Sequence, residues 1–129
     1  MEIPQDLRYT REHEWARNKG GRIVVGITDF AQDQLGDVVY VELPDVGDPV
    51  KKGEAFGVVE STKAVSELFA PISGKVLEVN APLSDAPETI NEDPYEEGWM
   101  IVIEPSDPKD LEALMDAKAY QAFVDEQGH

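Results

Sequence analysis

The sequence contains no cysteine, and its two histidines are His13 and His129. Without cysteine the chain can form neither disulfide bonds nor thiolate nucleophiles nor cysteine-ligated metal sites. Two histidines leave little basis for a zinc site or a catalytic triad. We therefore expect no metal site and no catalytic residue in this chain. Any sulfur chemistry would need a cofactor that supplies the sulfur.

Basic residues are scarce, because 11 Lys and Arg stand against 27 Asp and Glu, for a net charge of −16. Nucleic acids and anionic membranes are therefore poor partners for this chain. The negative electrostatic field of such a chain would speed its encounters with proteins that carry basic clefts, and it would make those encounters sensitive to salt. Alternatively, the acidity serves only solubility.

No stretch of the sequence is apolar enough over its length to cross a bilayer. Residues 1–6 also lack the basic region and apolar run of a signal peptide, and the Arg and Ser bias of a transit peptide. We expect a cytoplasmic protein if the source is bacterial, and a protein of the mitochondrial matrix if it is eukaryotic.

The apolar residues, 41% of the total, are spread over all 129 positions without a low-complexity tract. A chain of this length can bury a core of its own, which predicts a single domain over residues 1–129. Alternating or β-branched runs predict strands. These runs lie near residues 22–27, 37–43, 55–60, 65–70, 75–80 and 99–104. The fold class is therefore predicted to be mainly β.

Helical signals are confined to two places. Thr28 can cap a short helix that ends at Gly36, and residues 106–126 have the proline and apolar spacing of a C-terminal helical segment. Between them, three prolines among acidic residues predict a long irregular loop or surface turns over residues 81–98. Four glycines, which we interpret as turn residues rather than phosphate ligands, are Gly26, Gly36, Gly53 and Gly74.

Lys63 falls at a sharp reversal between two predicted strands, within residues 61–64. The reversal would place this lysine at the tip of a hairpin, among small or polar neighbours, where a modifying enzyme could reach it. Most surface lysines are merely solvated. The position alone does not assign a function to Lys63, and the flanking sequence has to decide.

The flanking sequence resembles known motifs. Glu60-Ser61-Thr62-Lys63-Ala64, followed by Ala70-Pro71-Ile72-Ser73-Gly74, resembles the lipoyl-lysine hairpin of lipoyl domains. Further matching segments are His13-Glu14-Trp15, Gly26-Ile27-Thr28-Asp29, Leu35-Gly36-Asp37-Val38-Val39, Glu42-Leu43-Pro44, Asn91-Glu92-Asp93-Pro94-Tyr95 and Gly98-Trp99. In this order the segments resemble the glycine cleavage H-protein family, from about residue 9 to residue 123.

Two other carrier families fit less well. A lipoyl domain of a 2-oxoacid dehydrogenase resembles only the central part of the chain, and usually has Asp directly before the lysine, where this chain has Thr62. A biotin carrier would flank the lysine with methionines, whereas Thr62 and Ala64 stand here.

The resemblance implies a lipoyl-domain-like β-sandwich, a barrel-sandwich hybrid, with lipoate attached covalently to Lys63. It implies a carrier protein rather than an enzyme. The carrier takes the aminomethyl group of glycine from a pyridoxal-phosphate glycine decarboxylase, the P protein, to a tetrahydrofolate-dependent aminomethyltransferase, the T protein. Dihydrolipoamide dehydrogenase, the L protein, then reoxidises the dithiol. The remaining partners are lipoylating enzymes, and we expect the carrier to be a monomer.

The resemblance also points to Glu67 and Glu14 as residues of the cleft that holds the cationic aminomethyl arm. For both glutamates the alternative is a solvated surface carboxylate. His13 has no visible partner in the sequence, and a structural role is expected for it rather than general base catalysis. A protein that relays its lipoyl arm to other lipoate-dependent complexes would share Lys63 and the fold. That alternative stays open at this point.

Overall fold

The computed structural model describes residues 1–127, and its framework is a pair of antiparallel sheets. Within these residues the strands are β1 (Arg8–Tyr9), β2 (Glu14–Lys19), β3 (Arg22–Ile27), β4 (Val38–Glu42), β5 (Pro49–Val50), β6 (Ala55–Ser61), β7 (Val65–Phe69), β8 (Gly74–Val79) and β9 (Ile101–Pro105). The larger sheet has the strand order β1-β2-β3-β9-β8-β5 and the smaller one β4-β6-β7. This architecture confirms the predicted mainly β sandwich.

The core lies between the sheets and continues beneath the helices. Its main cluster contains residues from both sheets, such as Val25 and Ile103 from the larger and Val41, Val59 and Leu68 from the smaller. A second, aromatic cluster joins the C-terminal helix to the larger sheet. Its buried members are Leu7, Tyr9, Trp15, Phe30, Tyr95, Ala117, Tyr120 and Val124. Removal of this apolar surface from water holds the sheets and the helix together.

Helix α1 (Asp29–Leu35) forms where the capping residues predict it. The Thr28 hydroxyl oxygen accepts a hydrogen bond from the amide of Ala31, which satisfies one of the free N–H groups of the first turn. Gly36 ends the helix with a φ of 78°, a left-handed conformation that a glycine adopts without a Cβ clash.

Residues 81–98 are more ordered than predicted. They contain a 3-10 turn at Ala81–Ser84 and a short helix, α2 (Thr89–Glu92). Ile90 is completely buried in the main core cluster, so the segment is held by tertiary packing that its proline and acid content does not reveal. The prediction of an irregular loop is wrong for these two stretches.

The C-terminal helical segment is divided in two. A 3-10 turn at Pro108–Ala113 ends where Leu114 becomes extended, and helix α3 (Ala117–Gln127) begins three residues later. Between them Met115 exchanges two backbone hydrogen bonds with Tyr9, at 2.8 and 3.0 Å. This pairing with β1 interrupts the helical spacing, because the same backbone groups cannot also form helical hydrogen bonds.

Strands β1, β2 and β5 were missed by the sequence prediction. Two of them are only two residues long. In β2 the consecutive residues Glu14, Trp15 and Ala16 are all buried, because helix and loop segments cover the face that would otherwise be exposed. The strand therefore lacks the alternation of polar and apolar residues on which the prediction depended.

Our interpretation of two glycines as turn residues is corrected, because Gly26 lies within β3 and Gly74 begins β8. At Gly74 the neighbouring strand leaves no room for a side chain. A Cβ built at this position would lie 2.1 Å from the carbonyl oxygen of Glu104 on the neighbouring strand β9. The two strands can approach this closely because the residue has no side chain.

We predict that Gly74→Ala lowers the free energy of unfolding by about 3 kcal/mol, because the backbone of β9 has to move. Chemical denaturation measures this change. Gly20→Ala is the control, since nothing lies within 4 Å of its Cβ position, and only its φ of 65° is unfavourable. This control should cost about 1 kcal/mol. Equal losses in the two variants would contradict the steric explanation.

Candidate functional site

Lys63 lies at the tip of the hairpin that joins β6 to β7. The strand pairing ends at Glu60 and Val65, and the amide of Ser61 donates a hydrogen bond of 2.8 Å to the carbonyl of Ala64. Two residues, Thr62 and Lys63, therefore make the whole reversal. The Ser61 hydroxyl accepts hydrogen bonds from the amides of Lys63, at 3.3 Å, and of Ala64, at 3.1 Å. The turn is fixed by its own side-chain and backbone bonds.

The tip is also fastened to the segment between α1 and β4. The amide of Thr62 donates to the carbonyl of Asp37 at 3.0 Å. On either side of Asp37 the chain is held by Asn91, whose side-chain oxygen accepts from the amide of Val38 and whose nitrogen donates to the carbonyl of Gly36, each at 2.9 Å. Asn91 of α2 thus determines the position of the strand start on which the lysine turn rests.

The Lys63 side chain is exposed and passes close to Gly36. A Cβ built on Gly36 would lie 3.2 Å from Cε of Lys63 and 3.7 Å from its Nζ. The lysine methylenes therefore run over the end of α1, next to Leu35. The side chain therefore lies near a helix that also forms one wall of a cavity.

This cavity has a volume of about 510 Å³ and lies between α1, β7 and the turn before β2. Its lining residues are Glu12, His13, Glu14, Ile27, Phe30, Ala31, Gln34, Leu35, Val59, Ser66, Glu67, Leu68 and Gln127. Six of these residues are apolar, and three carry carboxylates, Glu12, Glu14 and Glu67. Such a space suits a chain with an apolar body and a cationic end.

Glu14 is the buried carboxylate of this wall, with an exposure of 2%. One oxygen, Oε1, accepts a hydrogen bond of 2.6 Å from the Thr10 hydroxyl, and Oε2 accepts one of 3.2 Å from the amide of Phe69 on β7. Burial raises the pKa of Glu14 to about 7, and the bonds from Thr10 and Phe69 oppose that rise. The alternative of a solvated surface carboxylate does not hold for Glu14.

Glu67 also lines the cavity, but it is exposed and sits on β7, the edge strand of the smaller sheet. Its neighbours Ser66 and Leu68 line the cavity from the inner face of the sheet, whereas Glu67 alternates with them and projects from the other face. Its contribution to the cavity therefore comes from the edge of the sheet. The structure brings Glu14 and Glu67 to one cavity with different degrees of burial.

His13 packs against an aromatic group and also lines the cavity. Its Nδ1 lies 2.8 Å from the hydroxyl of Tyr120 on α3, which in turn lies 2.7 Å from the Thr28 hydroxyl at the start of α1. The ring centroids of His13 and Phe30 are 4.7 Å apart. Burial lowers the pKa of His13. These contacts connect α1 to α3, which is a structural role for His13. Its partner Tyr120 was not predicted from the sequence.

The outer face of the smaller sheet carries exposed apolar and acidic side chains beside the tip. Tyr40, Glu60 and Val65 pair across the three strands, and Tyr40 and Val65 are 47% and 67% exposed. Glu42 and Glu67 flank the next row, on either side of Val58. A partner that covers this face would need an apolar contact surrounded by basic groups.

Neither Thr10 nor the role of Asn91 was predicted from the sequence. Thr10 precedes Glu14 by four residues in a turn, and only the fold brings its hydroxyl to the carboxylate. Within residues 1–127, no group of three His, Asp or Glu side chains has the arrangement of a metal site. In the same part of the chain, no helix is long and apolar enough to cross a membrane.

A two-sheet sandwich that presents a lysine at a two-residue hairpin beside an acid-lined cavity defines a lipoyl-domain-like carrier protein. A family model described as "Glycine cleavage H-protein" matches residues 7–127. The chain belongs to the glycine cleavage H-protein family, whose members are lipoyl carrier components of the glycine cleavage system and not catalysts themselves.

The relatives extend over nearly the whole chain. The glycine cleavage system H protein of Anaeromyxobacter sp. (strain K) is 91% identical over 127 residues, which cover 98% of this chain and 99% of the relative. The H protein of Myxococcus xanthus (strain DK1622) is 63% identical over 95% of each chain. The crystal structure of an H protein from Mycobacterium marinum is 41% identical, with a TM-score of 0.85 over 98% of this chain and 100% of that one.

The raised pKa of Glu14 predicts a pH-dependent stability. The ordinary pKa of Glu14 is 4.5 and burial raises it to about 7, so between these two pH values the folded protein binds more protons at Glu14 than the unfolded chain does. The free energy of unfolding therefore falls as pH rises through this interval. We predict that the free energy of unfolding of the wild type, minus that of Glu14→Gln, decreases by about 3 kcal/mol between pH 4.5 and pH 8. Urea denaturation of both proteins over this range measures the difference. A constant difference would contradict the buried ionisation.

Proposed function

We propose that Lys63 carries a covalently attached lipoyl group, and that the protein uses it to carry the aminomethyl group of glycine between the enzymes of the glycine cleavage system. The observation that carries the proposal is the exposed Lys63 amine on a turn whose backbone is fixed. An amide bond to lipoate removes the charge of the amine and adds a flexible tether. The bound group supplies a dithiolane, which this cysteine-free chain cannot provide itself.

The fixed turn supports the proposal because a carrier has to present its arm reproducibly. Ser61 and Asp37 hold the backbone of the tip, so the motion is limited to the lysine side chain and whatever is attached to it. When a partner enzyme docks, the tether raises the effective concentration of the attached group at the active site. A flexible loop at this position would spread the arm over a larger volume and lower that concentration.

The cavity supports a resting position for the loaded arm. Its apolar residues, among them Phe30 and Leu35, can cover the body of the arm and keep water away from it. An aminomethyl group bears a positive charge at neutral pH, and the cavity offers two acceptors, the buried Glu14 in its wall and the exposed Glu67 at the sheet edge. A cation next to Glu14 would also favour its ionised form.

The partners follow from this function. They are the pyridoxal-phosphate glycine decarboxylase, the tetrahydrofolate-dependent aminomethyltransferase, dihydrolipoamide dehydrogenase and the lipoylating enzymes. The outer row around Tyr40 and Val65 lies next to Lys63 and is bordered by carboxylates, so basic docking surfaces would fit it. The net charge of −16 would speed these encounters at low salt. We propose a monomer that meets these partners in the bacterial cytoplasm, the compartment expected from its bacterial relatives.

The attachment site is tested with Lys63→Arg, which keeps the charge but cannot be acylated in the same way. After incubation with lipoate and a lipoylating system, intact-mass and peptide mass spectrometry should show a lipoyl group on Lys63 of the wild type and none on the variant. The variant should fold normally, with a stability within about 0.5 kcal/mol of the wild type, yet support no glycine–bicarbonate exchange.

Lys52→Arg is the matched control, because Lys52 is also an exposed lysine in a hydrogen-bonded turn. It should be lipoylated and active to the same extent as the wild type. Exchange activity in Lys63→Arg, or a lipoyl group at a different lysine, would refute the proposed site.

The role of Glu67 is tested by the lifetime of the loaded protein after the loading enzyme is removed. We predict that Glu67→Gln shortens this lifetime about two- to fivefold at neutral pH, as expected for loss of an exposed charge contact, while lipoylation is unchanged. Glu42→Gln is the control, because Glu42 occupies the same row of the sheet but does not line the cavity. Equal lifetimes in the wild type and Glu67→Gln would assign Glu67 to the solvated surface.

A further inference from the structure

The Thr10 hydroxyl has its hydrogen-bonding capacity completely used. Its oxygen accepts from the amide of Glu12 at 3.2 Å and from the amide of Glu14 at 3.1 Å. A hydroxyl has two acceptor positions and one hydrogen. With both acceptor positions taken, the hydrogen points to the remaining neighbour, Oε1 of Glu14, at 2.6 Å. This donor cannot reverse its direction.

The second carboxylate oxygen of Glu14 faces a donor of the same kind. Oε2 accepts from the amide of Phe69 at 3.2 Å, and an amide N–H cannot act as an acceptor. Both oxygens of Glu14 are therefore opposed by groups that only donate. Such a pair of donors suits a carboxylate better than a carboxylic acid, whose own hydrogen would need an acceptor.

Burial acts in the opposite direction. Loss of water around the nearly inaccessible Glu14 side chain favours the neutral acid, and this is the largest influence on its pKa, which lies at about 7. The hydrogen bond from Thr10 is the strongest of the opposing influences, followed by the one from Phe69. Removal of one donor would therefore raise the pKa of Glu14 further.

The other titratable groups around Glu14 do not provide a close cationic partner. Glu14 lines both the main cavity and a second one of about 360 Å³ on the other side of the turn. The titratable groups of the two walls and of the elements packed on them are Glu12, His13 and Arg11 in the preceding turn, Glu67 on β7, Lys52 before β6, and Tyr9 and Tyr120 in the aromatic cluster. Within residues 1–127, neither ion pair found in the structure includes Glu14.

We propose that Thr10 is a positioning residue, whose hydroxyl fixes the Glu14 carboxyl group in the cavity wall and favours its ionised form, which accepts the cationic end of the loaded arm. The role in arm binding rests on the proposed carrier function, whereas the effect of Thr10 on Glu14 does not. Glu14 touches the arm in this arrangement, and Thr10 acts only through Glu14.

The first experiment uses the unmodified protein and therefore does not depend on lipoylation. The side-chain carboxyl carbon of Glu14 is titrated by NMR in the wild type, Thr10→Val and Thr10→Ser. Valine has nearly the shape of threonine without its hydroxyl, whereas serine keeps the hydroxyl. The apparent pKa of Glu14 should rise by about one unit in Thr10→Val, as expected for loss of one charge-assisted hydrogen bond, and should stay close to the wild-type value in Thr10→Ser.

Thr10→Ala provides a second removal of the hydroxyl, with a smaller side chain, if the valine variant does not fold. An unchanged Glu14 titration in a folded variant without the hydroxyl would overturn the proposal. A rise that is equally large in Thr10→Ser would also overturn it, because the hydroxyl would then not be the cause.

The second experiment measures the lifetime of the loaded protein between pH 6 and pH 8.5. In the wild type the lifetime should fall as pH decreases through the Glu14 titration, and in Thr10→Val this fall should move to higher pH by the same shift that NMR reports. A merely structural role would shorten the lifetime equally at every pH and would overturn the positioning role. If the wild type cannot be loaded at all, the carrier proposal fails, while the NMR titration still decides the effect of Thr10 on Glu14.

Discussion

The Glu14 carboxylate joins the two sheets at the place where the main cavity opens. It belongs to β2 of the larger sheet and accepts a hydrogen bond from β7, the edge strand of the smaller one. A carboxylate removed from water is costly unless its oxygens are hydrogen-bonded, so the turn at Thr10 and the end of β7 have to stay where they are. Glu14 therefore connects the two sheets within the wall of the cavity.

A second set of hydrogen bonds positions the lysine turn. The amide side chain of Asn91 uses its oxygen on Val38 and its nitrogen on Gly36 and Gln32, and Asp37 between them accepts from the turn. Since all the polar atoms of Asn91 are used, the arrangement is specific in direction as well as in energy. The buried Ile90 next to it explains why a segment rich in proline and acids is ordered at all.

The sequence allowed most of the sandwich to be predicted, because β3, β4, β6, β7 and β8 have period-two or β-branched patterns between clear turns. Lys63 could be placed between two strands by the same reasoning. The failures have a common cause in tertiary contacts. Residues Glu14 to Ala16 are buried consecutively, Met115 pairs with Tyr9 instead of continuing a helix, and Gly74 is required by the backbone of β9. Each depends on a partner distant in the chain.

The candidate site, like the fold, could be predicted only in part from the sequence. Resemblance supplied Lys63, Glu14 and Glu67, but it could not reveal that Glu14 is buried and Glu67 exposed, since the burial of Glu14 depends on contacts with distant parts of the chain. Burial decides how strongly each carboxylate responds to a nearby cation. Thr10 and Tyr120 carry no motif of their own, and their importance comes only from what the fold places beside them.

The Lys63 side chain passes directly over Gly36. The side chain crosses this residue so closely that one extra methyl carbon would meet Cε at 3.2 Å, and the helix that Gly36 terminates leads along the cavity wall through Leu35 and Ala31. The missing side chain of Gly36 thus leaves room for the Lys63 side chain at the end of the helix. A group attached to Lys63 would therefore leave the turn beside the end of the helix whose residues Ala31 and Leu35 line the cavity.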